Sequence, residues 1–308
     1  MIIIGNFSDF SNIRTNRLDN NPSSFFLNFM QIIDLTTSYL DDFIDDGNRG
    51  KYESSFPELF NHYYKYYSKR DANIAVVEPD IIGIRKGWIE KFLKRLVAIL
   101  REYRIDSDIF DLVYFIGTGG TNGHAFRHNG RMYVWAPLET YTSESLVQIF
   151  VTHEVAHAIH YYFSPDFYPD TVDDQIRMSR QLITEGLATY LTAKWLDIPD
   201  KDSLWADYLD EDEARSWIDK CEKETRNLLK VIHDNWHETE HKLEIFYASN
   251  PENIYQFRAG YYIGLRLIDE YTRLHDFTTM DTLKLSRKEI ESGIYDLISK
   301  KLELQTLD

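Results

Sequence analysis

One cysteine, Cys221, is all that 308 residues contain. An internal disulfide is therefore excluded, and nothing in the chain requires an oxidising compartment. A structural zinc site built from several thiolates is excluded with it. Positive charge is also short. Lys and Arg number 34 against 50 Asp and Glu, for a formal net charge of −16 spread along the chain. That balance argues against a nucleic-acid or anionic-membrane partner, whose phosphates such a surface repels. No apolar run approaches the roughly 18 residues of a membrane span. The apolar start Met1-Ile2-Ile3-Ile4 is broken at Gly5, Asn6 and Ser8 and has no basic region before it. No signal peptide is expected from it, and the expected location is cytoplasmic. Neither an internal repeat nor a low-complexity segment is visible.

What is present is apolar and aromatic. A hydrophobic fraction of 43% with 21 tyrosines predicts a packed core rather than a disordered chain. Residues 1–22 read as an irregular arm. Phe25, Phe29, Ile32, Ile33, Leu40, Phe43 and Ile44 recur at helical spacing and predict a first amphipathic helix. Further helices are expected through Tyr67, with Pro57 near the first turn, and from Trp88 to Tyr103. Leu112 to Ile116 is a short β-type run that ends in the glycine-rich stretch Gly117–Gly123. Asn129-Gly130, between His124–His128 and Arg131–Ala136, is a strong hairpin signal. Together these predict a small, mainly antiparallel sheet. The glycine cluster is no phosphate loop, since no helix opening on Lys-Ser/Thr follows it, and tight turns explain it. Arg131–Ala136 could be an edge strand able to pair with an extended peptide, with Glu139 at a cleft mouth, or an ordinary hairpin strand. After residue 140 helix dominates. Ala214 to Trp236 keeps a helical stripe that includes Cys221, which reads as a buried thiol, and Ser286 to Glu289 is a capping box.

The chemistry sits in Leu146–Phe163, where His153-Glu154-Val155-Ala156-His157 is an HExxH signature in an apolar, helix-periodic segment. At 100° per residue both histidines share one face, so both imidazoles can reach one metal ion, while Glu154 points to a neighbouring sector from which it can activate water. A second helix reading Leu182–Leu191 offers Glu185 as a carboxylate. Two histidines, one carboxylate and an open position form the catalytic zinc arrangement. His160 lies about 10 Å along the axis from His153, too far to share the ion, and His124 is left out of the ligand set. The metzincin pattern is excluded, because its glycine and third histidine positions are here His160 and Phe163.

These residues resemble a gluzincin metallopeptidase, a clan with zinc held by the HExxH histidines and a glutamate on a second helix. The segment Ile183–Leu191 is similar to the Glu-Gly-x-Ala stretch of aminopeptidase-N-like enzymes. The resemblance implies His153, His157 and Glu185 as ligands of Zn2+ and Glu154 as general base. The chain looks still closer to bacterial proteins predicted to be zinc-dependent proteases, through the hairpin ending at Ala136–Glu139, the HExxH helix and the late segment Arg258–Gly264. The likeness spans about residues 112–270, and the N-terminal third resembles no named family. Two departures stand out. Between His157 and Glu185 lie 27 residues, a longer spacer than aminopeptidase-N-like or thermolysin-like enzymes use, and Thr189 stands where thermolysin-like enzymes have an aspartate. No motif for gripping a free amino terminus is evident.

The expected fold is α+β and predominantly helical, a small antiparallel sheet beside a two-helix zinc site. An N-terminal helical region is expected over 1–110. A zincin-like catalytic region follows over 111–308, with its sheet at 111–140 and its helices at 141–308. The expected activity is hydrolysis of a peptide or protein substrate, with Glu154, Tyr262 and Tyr261 as catalytic residues. The two tyrosines are candidates for oxyanion donor, Tyr262 favoured over Tyr261, with simple packing as the alternative. Arg258 could bind a substrate carboxylate or form a surface ion pair. Two other functions stay open: a catalytically inactive, metallopeptidase-like binding protein, and a zinc hydrolase of a non-peptide amide. Oligomeric state is not legible.

Overall fold

The computed structural model describes residues 30–239 and 244–304. The arm expected over 1–22 and the first turn of the helix expected from Phe25 lie outside the described residues. The chain divides into two compact units, one made of residues up to 87 together with 105–141, the other of 88–104 together with 142 onward. In this division the strands lie in the same unit as the N-terminal residues. The reason is pairing, since one strand of the sheet comes from the N-terminal side.

In the first unit, strands β1 (Ile32–Asp34), β2 (Phe110–Phe115), β3 (His124–His128) and β4 (Arg131–Pro137) form one sheet in the order β1-β2-β4-β3. The sheet is mixed. β1 runs parallel to β2 with Ile32 opposite Leu112, and β2 runs parallel to β4 with Leu112 opposite Val134. Only β3 and β4 are antiparallel. This corrects the antiparallel expectation. A hairpin leaves a local turn signature, here Asn129 and Gly130 at φ 49° and 75°, whereas parallel partners are joined by long connections that leave none. β4 also proves to be an inner strand, so both its hydrogen-bonding edges are already taken and it is no ledge for a peptide.

The helix expected through Ile32 and Ile33 is instead β1, followed by a helical turn at Thr36–Ser38 and π-helical turns over Tyr39–Asp45. Asp34 ends the strand by accepting hydrogen bonds from the Thr36 amide and hydroxyl, at 2.9 and 2.6 Å, and pairs with Lys86. Helix Pro57–Tyr66 carries its proline in the first turn as expected. Its aromatics pack on the sheet, and Tyr63 lies edge-on to both Phe115 and Trp135. Their polar ends pin the glycine-rich stretch. The Tyr63 hydroxyl accepts from the Thr118 amide, and the Glu139 carboxylate accepts from the Gly119 amide. Burial raises the Glu139 carboxyl to about 7, and its Oε2 is fully covered, so Glu139 is a loop anchor.

The second unit is helical. Helix Glu144–Phe163 is capped by Ser143, whose Oγ accepts from the Leu146 amide at 3.1 Å, and it is buried nearly all round. A helix apolar on every face belongs in a core. Helix Met178–Leu196 and helix Ala259–Leu274 pack on each other through two glycines. A Cβ on Gly186 would lie 2.4 Å from the Gly264 carbonyl carbon, so these backbones touch as only glycines permit. The stripe from Ala214 to Trp236 divides into helices Glu211–Lys223 and Thr225–Asp234, and Cys221 is buried as expected. The last helix, Arg287–Leu304, opens on the capping box of Ser286 and Glu289. Among the described residues no helix is long and apolar enough to cross a membrane.

Candidate metal centre

The helical period brings His153 and His157 one turn apart on helix Glu144–Phe163, and their Nε2 atoms are 3.1 Å apart. Glu185 enters from helix Met178–Leu196, its Oε2 3.2 Å from His153 Nε2 and 3.4 Å from His157 Nε2. These three are the group among the described residues whose atoms could hold a metal ion. Ligands bound to zinc at about 2.0–2.1 Å in a tetrahedron stand about 3.3 Å apart. The three observed separations fall on that edge length, so the donor set fits Zn2+ in both chemistry and spacing.

Electrostatics agree. Burial lowers the His153 imidazole to about 4, so the ring is neutral and its lone pair is available. Burial works against charge on His157 too, but the carboxylates of Glu185 and Glu154 outweigh it and raise that ring above its usual value. Burial by itself would raise the Glu185 carboxyl, yet the two imidazoles hold it well below the usual carboxylate range. The Glu185 anion thus favours positive charge on His157 rather than on His153. A divalent cation at the three donors would compete with any proton there, since imidazole binds metal in its neutral form.

The supports of the ligands are partly unexpected. The His157 ring stacks on Tyr161 at 5.8 Å and 17°, and Arg180 donates to the Tyr161 hydroxyl at 2.9 Å. Arg180 is itself buried and also donates to the Phe167 carbonyl. Tyr161 falls one turn after His157, a spacing that the helical period alone supplies. Arg180, five residues before Glu185, carried no signal. Thr189, in the place of the thermolysin-like aspartate, gives its hydroxyl to the Glu185 carbonyl at 2.8 Å and orients no histidine. His160 is buried against Phe167 at 4.6 Å, and His124 lies in the first unit against Tyr67.

Glu154 is 8% exposed, close enough for its charge to act on both His157 and Tyr261. Of the tyrosine pair, Tyr261 is the one at the site. Its ring lies 6.0 Å from that of His153, and burial together with Glu185 holds its hydroxyl protonated far above neutrality. Tyr262 is turned away, edge-on to Trp217, with its hydroxyl 3.4 Å from Glu222. Of the two candidates it is thus Tyr261, not the favoured Tyr262, that lies beside His153. Adjacent residues on a helix diverge by 100°, so only one of the two can face the histidines.

In this helical α+β protein two imidazoles and a carboxylate that could hold a metal ion converge from two buried helices, and the comparisons give the chain a family. The chain belongs to the family described as Predicted Zn-dependent protease (DUF2268), whose model matches residues 115–292. His153, Glu154, His157, Glu185, Arg258 and Tyr261 all fall within the matched segment. No curated protein and no solved structure matches the chain.

Proposed function

We propose that this protein is a zinc-dependent peptidase of the gluzincin type, with His153, His157 and Glu185 holding the ion and Glu154 as general base. The reading rests on one observation, the three donor atoms from two helices standing 3.1 to 3.4 Å apart. Three protein ligands leave a fourth position open, which suits catalysis rather than structure. When bound, the ion supplies Lewis-acid polarisation of the scissile carbonyl and brings the acidity of water toward neutrality. Glu154 takes the proton of the attacking water and delivers it to the leaving amide nitrogen. Tyr261, still protonated, donates a hydrogen bond to the oxygen on which negative charge develops. The substrate is a peptide or a protein.

The test is direct. Metal content is measured for wild type and Glu154→Gln, and both digest a mixed peptide pool. The expected result is about one zinc per chain in each and cleavage by wild type alone, since the base is not a ligand. Stoichiometric zinc without cleavage that depends on Glu154 would overturn the peptidase reading. Absence of zinc after reconstitution would overturn the site itself.

A further inference from the structure

Beside the metal group lies a buried arginine that the chemistry above does not use. Arg258 is 8% exposed, and its Nε is buried without a hydrogen-bond partner. Among the described residues its guanidinium has no carboxylate within ion-pair distance. Instead it lies between two aromatic faces, 4.3 Å from the ring centre of Tyr261 and 5.1 Å from that of Trp205. Its backbone is fixed as well. Arg258 sits at φ 60°, donates its amide to the Tyr247 carbonyl at 2.8 Å, and accepts from the Tyr261 amide at 3.0 Å. A residue with a Cβ is strained in that left-handed conformation, where glycine would be relaxed. Stacking on two rings stabilises the charge but satisfies no N–H donor in the guanidinium plane. Its Nε donor is left without a partner, although the Glu185 and Glu154 carboxylates act on the same Tyr261 hydroxyl as the guanidinium does.

That donor lies beside the metal group. Tyr261 touches both Arg258 and the His153 side of the metal group. The guanidinium and the His153 ring centre are thus at most about 10 Å apart, the span of about three extended residues at 3.3–3.6 Å each. Tyr208, exposed and within the electrostatic reach of Arg258, packs on Phe150, one turn ahead of His153.

We infer that Arg258 binds a carboxylate of the peptide on the leaving-group side of the scissile bond, so that the enzyme removes short pieces of one to three residues from a free carboxyl terminus. This rests on the peptidase reading above. The step is ordinary hydrolysis. The carbonyl C–N bond breaks, the water oxygen bonds to the carbonyl carbon, and the nitrogen gains the proton carried by Glu154. The leaving fragment departs as a free amine with its terminal carboxylate still on Arg258. A guanidinium recognises a planar carboxylate through two parallel N–H donors, which a neutral carboxamide cannot match. An Asp or Glu side chain two or three residues beyond the bond presents the same group, so the two sources need separate arms.

The experiment compares three peptides of one core sequence: the free acid, the C-terminal amide, and an amide with an internal Glu near that end. Binding to the metal-free protein is measured by calorimetry, and cleavage by the zinc-loaded protein by mass spectrometry. The free acid is expected to bind about 10- to 100-fold more tightly than the amide, the range of a charge-assisted hydrogen bond. It is also expected to be shortened from its carboxyl end. In Arg258→Gln that preference disappears, and in Arg258→Lys it survives in weakened form. Recovery of tight binding by the internal-Glu amide alone would overturn the terminal assignment in favour of a side-chain carboxylate. Equal binding of acid and amide by wild type would overturn the proposal whatever the cleavage result, and that comparison needs no variant. If no peptide is cleaved but the acid still binds preferentially, the peptidase reading fails and the carboxylate site stands.

Discussion

At the scale of single residues, the two adjacent tyrosines are separated by orientation. Tyr261 presents a protonated hydroxyl toward Glu185 and Glu154, while Tyr262 is held by Trp217 and Glu222. Removing one oxyanion donor costs about 10²–10³ in kcat. Tyr261→Phe is therefore expected to lose that much in kcat with its zinc content intact, whereas Tyr262→Phe should stay near wild type. Steady-state kinetics with metal analysis checks both, and equal losses would remove Tyr261 from the mechanism. The ligand types were legible because HExxH fixes chemistry and spacing in five residues. The choice between the tyrosines was not. It depends on which side of helix Ala259–Leu274 meets helix Met178–Leu196, and a single sequence does not encode that directly.

Between elements, the decisive contact is the glycine pair. Glu185 is followed by Gly186, and Gly264 lies one turn beyond Tyr261, so the closest approach of the two helices is beside the metal group. A methyl group on Gly264 would stand 2.6 Å from the Leu182 carbonyl oxygen and 2.8 Å from the Gly186 Cα. Backbone atoms cannot yield as a side-chain end can. Gly264→Ala is expected to destabilise by about 1–3 kcal/mol through overpacking. Activity should fall further than stability explains, since Tyr261 is carried away from Glu185. Denaturant midpoints alongside kcat test this, and a stable, fully active variant would refute the role given to the contact. The elements themselves were unevenly legible. The helices that carry the HExxH residues and Glu185 followed from their apolar pattern, and the β3–β4 hairpin from Asn129-Gly130. β1 was missed because Ile32 and Ile33 fit a helical stripe equally well, and only the distant partner Leu112 makes them a strand. The same distance hid the parallel pairings.

Across the whole molecule, an ion at the candidate group would link metal to fold through the second unit. Its ligands come from two helices, so an ion that binds only the folded state adds stability by mass action, about 4 kcal/mol at a free concentration a thousand times Kd. Chelation should therefore lower the melting temperature of wild type but leave that of Glu185→Ala unmoved. Calorimetry checks it, and an unchanged wild-type transition would mean that the ion contributes nothing to folding. Cys221 supplies a second reading of the same linkage. It is the chain's one thiol, it lies in the unit that holds the metal group, and burial pushes it up to about 12. A thiol reagent needs both exposure and thiolate, so labelling waits for helix Glu211–Lys223 to open. The protein thus carries its own clock for local opening, one that saturating zinc should slow and acid-stripped protein should run fast.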